Sequence, residues 1–162
     1  MDRMREFLQY LIDNHLTLGS VESVTGGRFA DEICRYPGVS AVFKGGIVAY
    51  TPETKAALVG VTPELIAKHG IVSEEVARQM AIGGKAALGV DVCLSCTGNA
   101  GPSVQDGGAA IGDAYMSCAY KGNVWTIGLR FGDKGRDGVR SAVVNGMIEL
   151  GCSVFETHDI SA

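Results

Sequence analysis

The sequence is short of basic charge, of histidine and of long apolar runs. Its 14 Lys and Arg stand against 18 Asp and Glu, for a formal net charge of −4. A nucleic-acid backbone is held by clustered cations, and no such cluster occurs, which argues against a nucleic-acid binder. No apolar stretch approaches the roughly 20 residues that cross a bilayer, and the charged N-terminus does not read as a signal peptide. The expectation is a cytoplasmic protein with no nucleic-acid or membrane partner, acting on a small molecule.

Disulfide and metal chemistry are equally thin. The five cysteines, Cys34, Cys93, Cys96, Cys118 and Cys152, are odd in number, scattered and mostly set in apolar runs, as free thiols of a reducing compartment are. Cys93 and Cys96 have redox-motif spacing, but on an extended strand they face opposite ways, and no second pair completes a zinc site. No metal or organic cofactor is expected. There is no internal linker or repeat, and the 23 glycines are neither periodic nor gathered into one tract. With 46% hydrophobic residues, 162 residues can bury a core without staples, so residues 1–162 read as a single domain.

What is present is an alternation of strand and helix. Asp2 is placed to cap a helix to about His15, with Met4, Phe7, Leu8, Leu11 and Ile12 on one face. A first strand, 16–22, passes through Thr25-Gly26-Gly27 into a second helix ending near Tyr36. A strand at Gly45–Tyr50 meets Thr51-Pro52, and Thr62-Pro63 and Ser73-Glu74-Glu75 open two more helices. Residues 91–97 form a Val/Cys/Leu run suited to a central strand. Strands at 111–120 and 123–131 flank Lys121-Gly122, a hairpin turn, and a last helix covers about 135–155. This order predicts a three-layer α/β/α sandwich around a mixed, mostly parallel sheet of about five strands. Apolar residues around Val39–Phe43, or the hairpin, are candidate surfaces for a homo-oligomer.

Three glycine-marked turns stand at strand ends: Glu22 to Gly27, Tyr50-Thr51-Pro52, and Thr97 to Pro102. Ends of parallel strands share one sheet edge, so these turns should meet in a crevice. Ser23 at a strand-to-helix junction suits a nucleophile. Of the three histidines, His15, His69 and His158, none lies in such a turn, so a Ser-His-Asp triad is poorly supported. Lys55 is the better base, since partial burial lowers a lysine pKa into the working range. Tyr50 could handle a proton, and Thr25, Thr97 or the N–H groups near Gly98 could stabilise an oxyanion. Each also has a plain structural reading: Ser23 as a cap, Thr97 as a turn residue, Tyr50 as a strand-end aromatic and Lys55 as a solvated charge.

At these residues the chain resembles the CinA C-terminal domain family, whose stand-alone form is a nicotinamide mononucleotide amidohydrolase. The resemblance rests on Glu22-Ser23-Val24-Thr25-Gly26-Gly27, Gly45-Gly46-Ile47-Val48-Ala49-Tyr50 with Lys55 and Gly60-Val61, His69-Gly70-Ile71-Val72-Ser73, and Thr97-Gly98-Asn99-Ala100-Gly101-Pro102. It implies an α/β/α sandwich, hydrolysis of the nicotinamide amide to nicotinate mononucleotide and ammonia, and use in pyridine nucleotide salvage. It implies Ser23 as nucleophile, Lys55 as base, Tyr50 as a proton-handling partner and Thr97-Gly98 as substrate contacts. Gly45, Gly46 and Asn99 join the candidate substrate-side residues, and the phosphate cradle falls to the Gly26-Gly27 helix start or to Arg140. The chain departs from the family pattern at Val24, Asn99, Asp113 and the stretch Ser103 to Asp106. Two further readings stay open: an amidase on another small amide, and a catalytically silent ligand-binding or regulatory domain.

Overall fold

The computed structural model describes residues 2–104 and 108–157; His158 and the Gln105-Asp106 part of the divergent stretch lie outside them. The elements are α1 (Arg3–Asp13), β1 (Leu18–Glu22), α2 (Arg28–Cys34), β2 (Phe43–Val48), α3 (Pro52–Val59), α4 (Pro63–His69), α5 (Glu74–Leu88), β3 (Val92–Gly98), β4 (Asp113–Tyr120), β5 (Asn123–Arg130) and α6 (Arg136–Thr157). One sheet runs in the order β2-β1-β3-β4-β5. β1 pairs in parallel with both β2 and β3, while the β3–β4 and β4–β5 pairs are antiparallel. The sandwich expected from the sequence is therefore present, with its mixed sheet of five strands.

Two apolar clusters define the layers. On one face Leu18, Val92, Leu94 and Met116 pack with Phe7 and Leu11 of α1, Phe29 and Ile33 of α2, and Val139 and Met147 of α6. On the other, Val21 and Cys93 pack with Val59 of α3 and with Val76 and Met80 of α5. Cys93 and Cys96 fall into opposite clusters because strand side chains alternate. Close packing of α5 depends on two glycines. A Cβ at Gly84 would lie 2.2 Å from Val21 Cγ2, and one at Gly83 would lie 2.0 Å from the Val59 carbonyl oxygen.

The chain's capping and turn residues act where they stand in the sequence. Asp2 caps α1 by accepting from the Arg5 N–H. Thr51 and Thr54 form a reciprocal capping box that fixes the start of α3. Lys121 and Gly122 both take positive φ, 49° and 77°, as the tight β4–β5 hairpin requires.

One surface expectation is corrected. Residues Val39–Ala41 form a 3-10 turn, Val42 is buried, and Val39 and Phe43 pack against the core. Val42 alone is fully inward; Val39 and Phe43 are half-buried, and Ser40 and Ala41 are exposed, so the segment is not the continuous apolar surface expected from the sequence. Four of the five cysteines are buried and all five are free; Cys34 is exposed.

Candidate functional site

β1 and β2 are parallel neighbours, but α2 leaves β1 toward one face and α3 leaves β2 toward the other. Chain segments that part in this way open a crevice at the carboxyl ends of the strands. Ser23 follows the last residue of β1, Tyr50 lies two residues past β2, and Thr97-Gly98 close β3, so all three turns meet there.

The crevice holds a cavity of about 60 Å³, and Ser23, Tyr50, Lys55, Thr97, Gly98 and Arg136 contribute to its wall together with Val24, Ile71 and Ala100. Lys55 is fully buried and Ser23 is 8% exposed. Lys55 Nζ donates to Ser23 Oγ at 2.9 Å and to the Ala49 carbonyl at 2.8 Å. Burial pushes the Lys55 pKa down from 10.5 to about 8, because an ammonium loses its hydration there. The opposing influence comes from Cys96, whose own thiol is pushed up to about 11 by burial and so carries no charge at neutral pH. A buried lysine one hydrogen bond from a serine hydroxyl is an arrangement that can take the serine proton.

The nucleophile turn is gripped from two sides. Beneath it, the buried carboxylate of Glu22 accepts from Thr25 Oγ1 at 2.6 Å, from Phe29 N–H at 2.8 Å and from Ala30 N–H at 3.1 Å. Cys96 Sγ also touches Thr25 Oγ1, at 3.2 Å. From α6, Arg140 donates Nε to the Val24 carbonyl at 3.1 Å and Nη2 to the Thr25 carbonyl at 2.9 Å. The backbone between them turns through Gly26 and Gly27 at φ 61° and 104°, where a side chain would be strained.

These contacts reassign several expected site residues. Ser23, Tyr50, Lys55, Thr97 and Gly98 reach the cavity; Thr25, Gly26, Gly27, Gly45, Gly46, Asn99 and Arg140 do not line it. Thr25 spends its hydroxyl on Glu22, and Thr97 donates its own to the Ile71 carbonyl, so neither hydroxyl proton is aimed at a ligand. The start of α2 is not a phosphate cradle, since Glu22 already places a carboxylate on its N–H groups. Arg140 is committed to turn carbonyls. Gly45 and Gly46 lie within β2, where a Cβ at Gly46 would come within 2.8 Å of Ser20 Oγ, so the glycine serves sheet packing.

Asn99 braces its loop: Nδ2 donates to the Ser103 and Ala109 carbonyls and Oδ1 accepts from Gly101 N–H. Asp113 faces Arg130 at 4.0 Å and is not part of the cavity wall. His15 and His69 are exposed and likewise absent from it. Tyr50 is 51% exposed, and its hydroxyl accepts from Arg136 Nη2 at 2.7 Å. Two residues that matter here, Glu22 and Arg136, were not singled out for a role from the sequence. Glu22 precedes the nucleophile in a strand-end turn rich in N–H donors, which is a readable signal. Arg136 gives none, because its place depends on how α6 docks across the sheet.

A mixed α/β/α sandwich with serine and lysine paired at the strand ends is the class that fold and site define. Comparison with known proteins gives the family. The CinA C-terminal domain profile matches residues 2–152, and the chain belongs to that family. A competence-damage inducible protein of Alkaliphilus oremlandii is 39% identical over 140 residues, covering 86% of this chain and 34% of that protein. The chain thus spans about a third of the length of the curated relatives it matches. Among solved structures, a competence/damage inducible protein from Agrobacterium tumefaciens superposes with a TM-score of 0.83 at 30% identity, covering 93% of this chain and 94% of that one. A CinA superfamily protein from Klebsiella pneumoniae shares the fold with a TM-score of 0.91 at 24% identity over 97% and 99% of the two chains.

Proposed function

We propose that this domain hydrolyses the amide of nicotinamide mononucleotide to nicotinate mononucleotide and ammonia, by acyl transfer through Ser23 with Lys55 as base. The observation that carries this reading is the buried 2.9 Å contact between Lys55 Nζ and Ser23 Oγ in a strand-end cavity. Neutral Lys55 takes the Ser23 proton as Oγ attacks the amide carbon. The C–N bond then breaks, the nitrogen leaves as ammonia with the proton returned by Lys55, and the nicotinoyl ester remains on Ser23. Water, deprotonated by the same lysine, cleaves the ester and frees the carboxylate. The pyridinium charge beside the carbonyl makes that carbon electrophilic, which suits a base of modest strength.

The test is ammonia release from nicotinamide mononucleotide by wild type and Ser23→Ala, without added metal. Turnover by wild type and a loss of about 10⁴-fold or more in the variant is expected. Equal turnover by both removes Ser23 from the chemistry, and silence from both removes this amide as substrate.

A further inference from the structure

The sheet has two edges, β2 and β5, and they are built differently. At the β2 edge the pairing with β1 passes from Phe43 to Gly45, so Lys44 is bulged out of the ladder. A charge and a bulge are what keep an edge strand from pairing with a further strand. β5 has neither at its centre. Asn123 to Arg130 pairs residue for residue with β4, contains no proline, and carries its sole charge at the last position.

The turn decides which backbone groups of β5 are free. Lys121 and Gly122 make a two-residue loop with positive φ at both, so the closing pair Tyr120–Asn123 exchanges both its hydrogen bonds. Every second residue from there, Trp125, Ile127 and Leu129, bonds inward to β4, and Val124, Thr126 and Gly128 turn N–H and C=O outward. The Val124 carbonyl agrees with this alternation, since Arg78 Nη1 of α5 donates to it at 3.1 Å. Among the described residues no group meets the outward N–H and C=O of Thr126 and Gly128. Beside this open stretch, Trp125, Ile127 and Leu129 form an apolar row on the α6 face, half-buried against the core.

We propose that β5 pairs antiparallel with β5 of a second copy of this chain, about a two-fold axis between the two Ile127 residues, joining two five-stranded sheets into one. A two-fold axis normal to the sheet keeps each side chain on its own face. With the axis at Ile127, Thr126 stands opposite Gly128 of the second copy, so the two open residues satisfy each other. Trp125 lies against Leu129 of the second copy and Ile127 against Ile127, which closes the apolar row on both sides. Arg130 meets Val124 and not another arginine, and Asp113 already stands 4.0 Å from it. An axis at Thr126 would instead set Gly128 against Val124, whose carbonyl Arg78 holds. A second copy matches this ladder by symmetry, whereas a different partner would have to reproduce it. No residue of β5 lines the strand-end cavity, so the crevices stay open in the pair and the proposal does not rest on the amidase reading.

The test is sedimentation equilibrium of the full chain, with circular dichroism to show that each variant is folded. Wild type should have twice the mass of one chain. Ile127→Lys and Ile127→Asp each set like charges face to face and should lose the dimer, and mixing the two should restore it. A second pair of variants reads the register without adding a charge. In a Cys34→Ser background, which removes the exposed cysteine, mild oxidation should link Ile127→Cys into a disulfide dimer and leave Val124→Cys unlinked. A wild-type monomer, folded charged variants that dimerise singly or fail to dimerise together, or an Ile127→Cys cross-link no stronger than that of Val124→Cys overturns the proposal.

Discussion

Lys55 should betray its burial in two coupled pH dependences. Its pKa of about 8, against 10.5 for a free lysine, means the folded protein holds this proton less firmly than the unfolded chain. Wherever the unfolded state binds more protons, stability rises with pH. The charged lysine therefore weakens the fold below about pH 8, and the penalty fades as the pH climbs toward 10.5. At about 1.4 kcal/mol per pKa unit, the fold should gain about 2 to 3 kcal/mol from this group between pH 7 and 10.

Other titrating groups cancel when wild type is compared with Lys55→Met, which fills similar space without a charge. Urea denaturation of both at several pH values should show the wild type gaining that amount on the variant as pH rises. The same proton governs the rate. With a pKa near 8, about a tenth of Lys55 is neutral at pH 7 and about nine-tenths at pH 9, so kcat/KM for the proposed amide should rise about tenfold across that interval. Parallel stability curves for the two proteins, or a flat rate profile from pH 7 to 9, would refute the reasoning.

Three more outcomes follow from the geometry. Arg140→Gln removes two bonds to the nucleophile turn and none to the cavity, so kcat should fall about 10- to 100-fold with KM little changed; a raised KM at constant kcat would return Arg140 to substrate binding. Glu22→Gln leaves one acceptor oxygen where two serve three donors, and should cost about 2 kcal/mol in a reversible thermal melt; a variant as stable as wild type contradicts the bracing role. Gly84→Ala drives a methyl to within 2.2 Å of Val21 Cγ2 and should cost about 1–3 kcal/mol by urea titration, with no loss meaning that α5 can back away from the sheet.

The sequence by itself determined the elements, because the signals that set them are local. Short apolar runs bounded by turn residues placed β1 and β3, the Thr51-Pro52 and Thr62-Pro63 pairs started α3 and α4, and Lys121-Gly122 turned the hairpin within a residue or two of where it lies. It also brought Ser23 and Lys55 to one place, since parallel strand ends share an edge and both residues sit just past one. What it left open depends on contacts between segments far apart in the chain. Arg136 and Arg140 are one helical turn apart on α6, and nothing local distinguishes the one that lines the cavity from the one that clasps Val24 and Thr25. Val39–Phe43 reads as an exposed apolar patch until the core it covers is built. Asn99, Thr25 and Thr97 carry the right atoms for a ligand, but hydrogen bonds to Ser103, Glu22 and Ile71 engage them first. A polar side chain serves whichever partner the packed fold brings within about 3 Å, and that choice belongs to the tertiary structure.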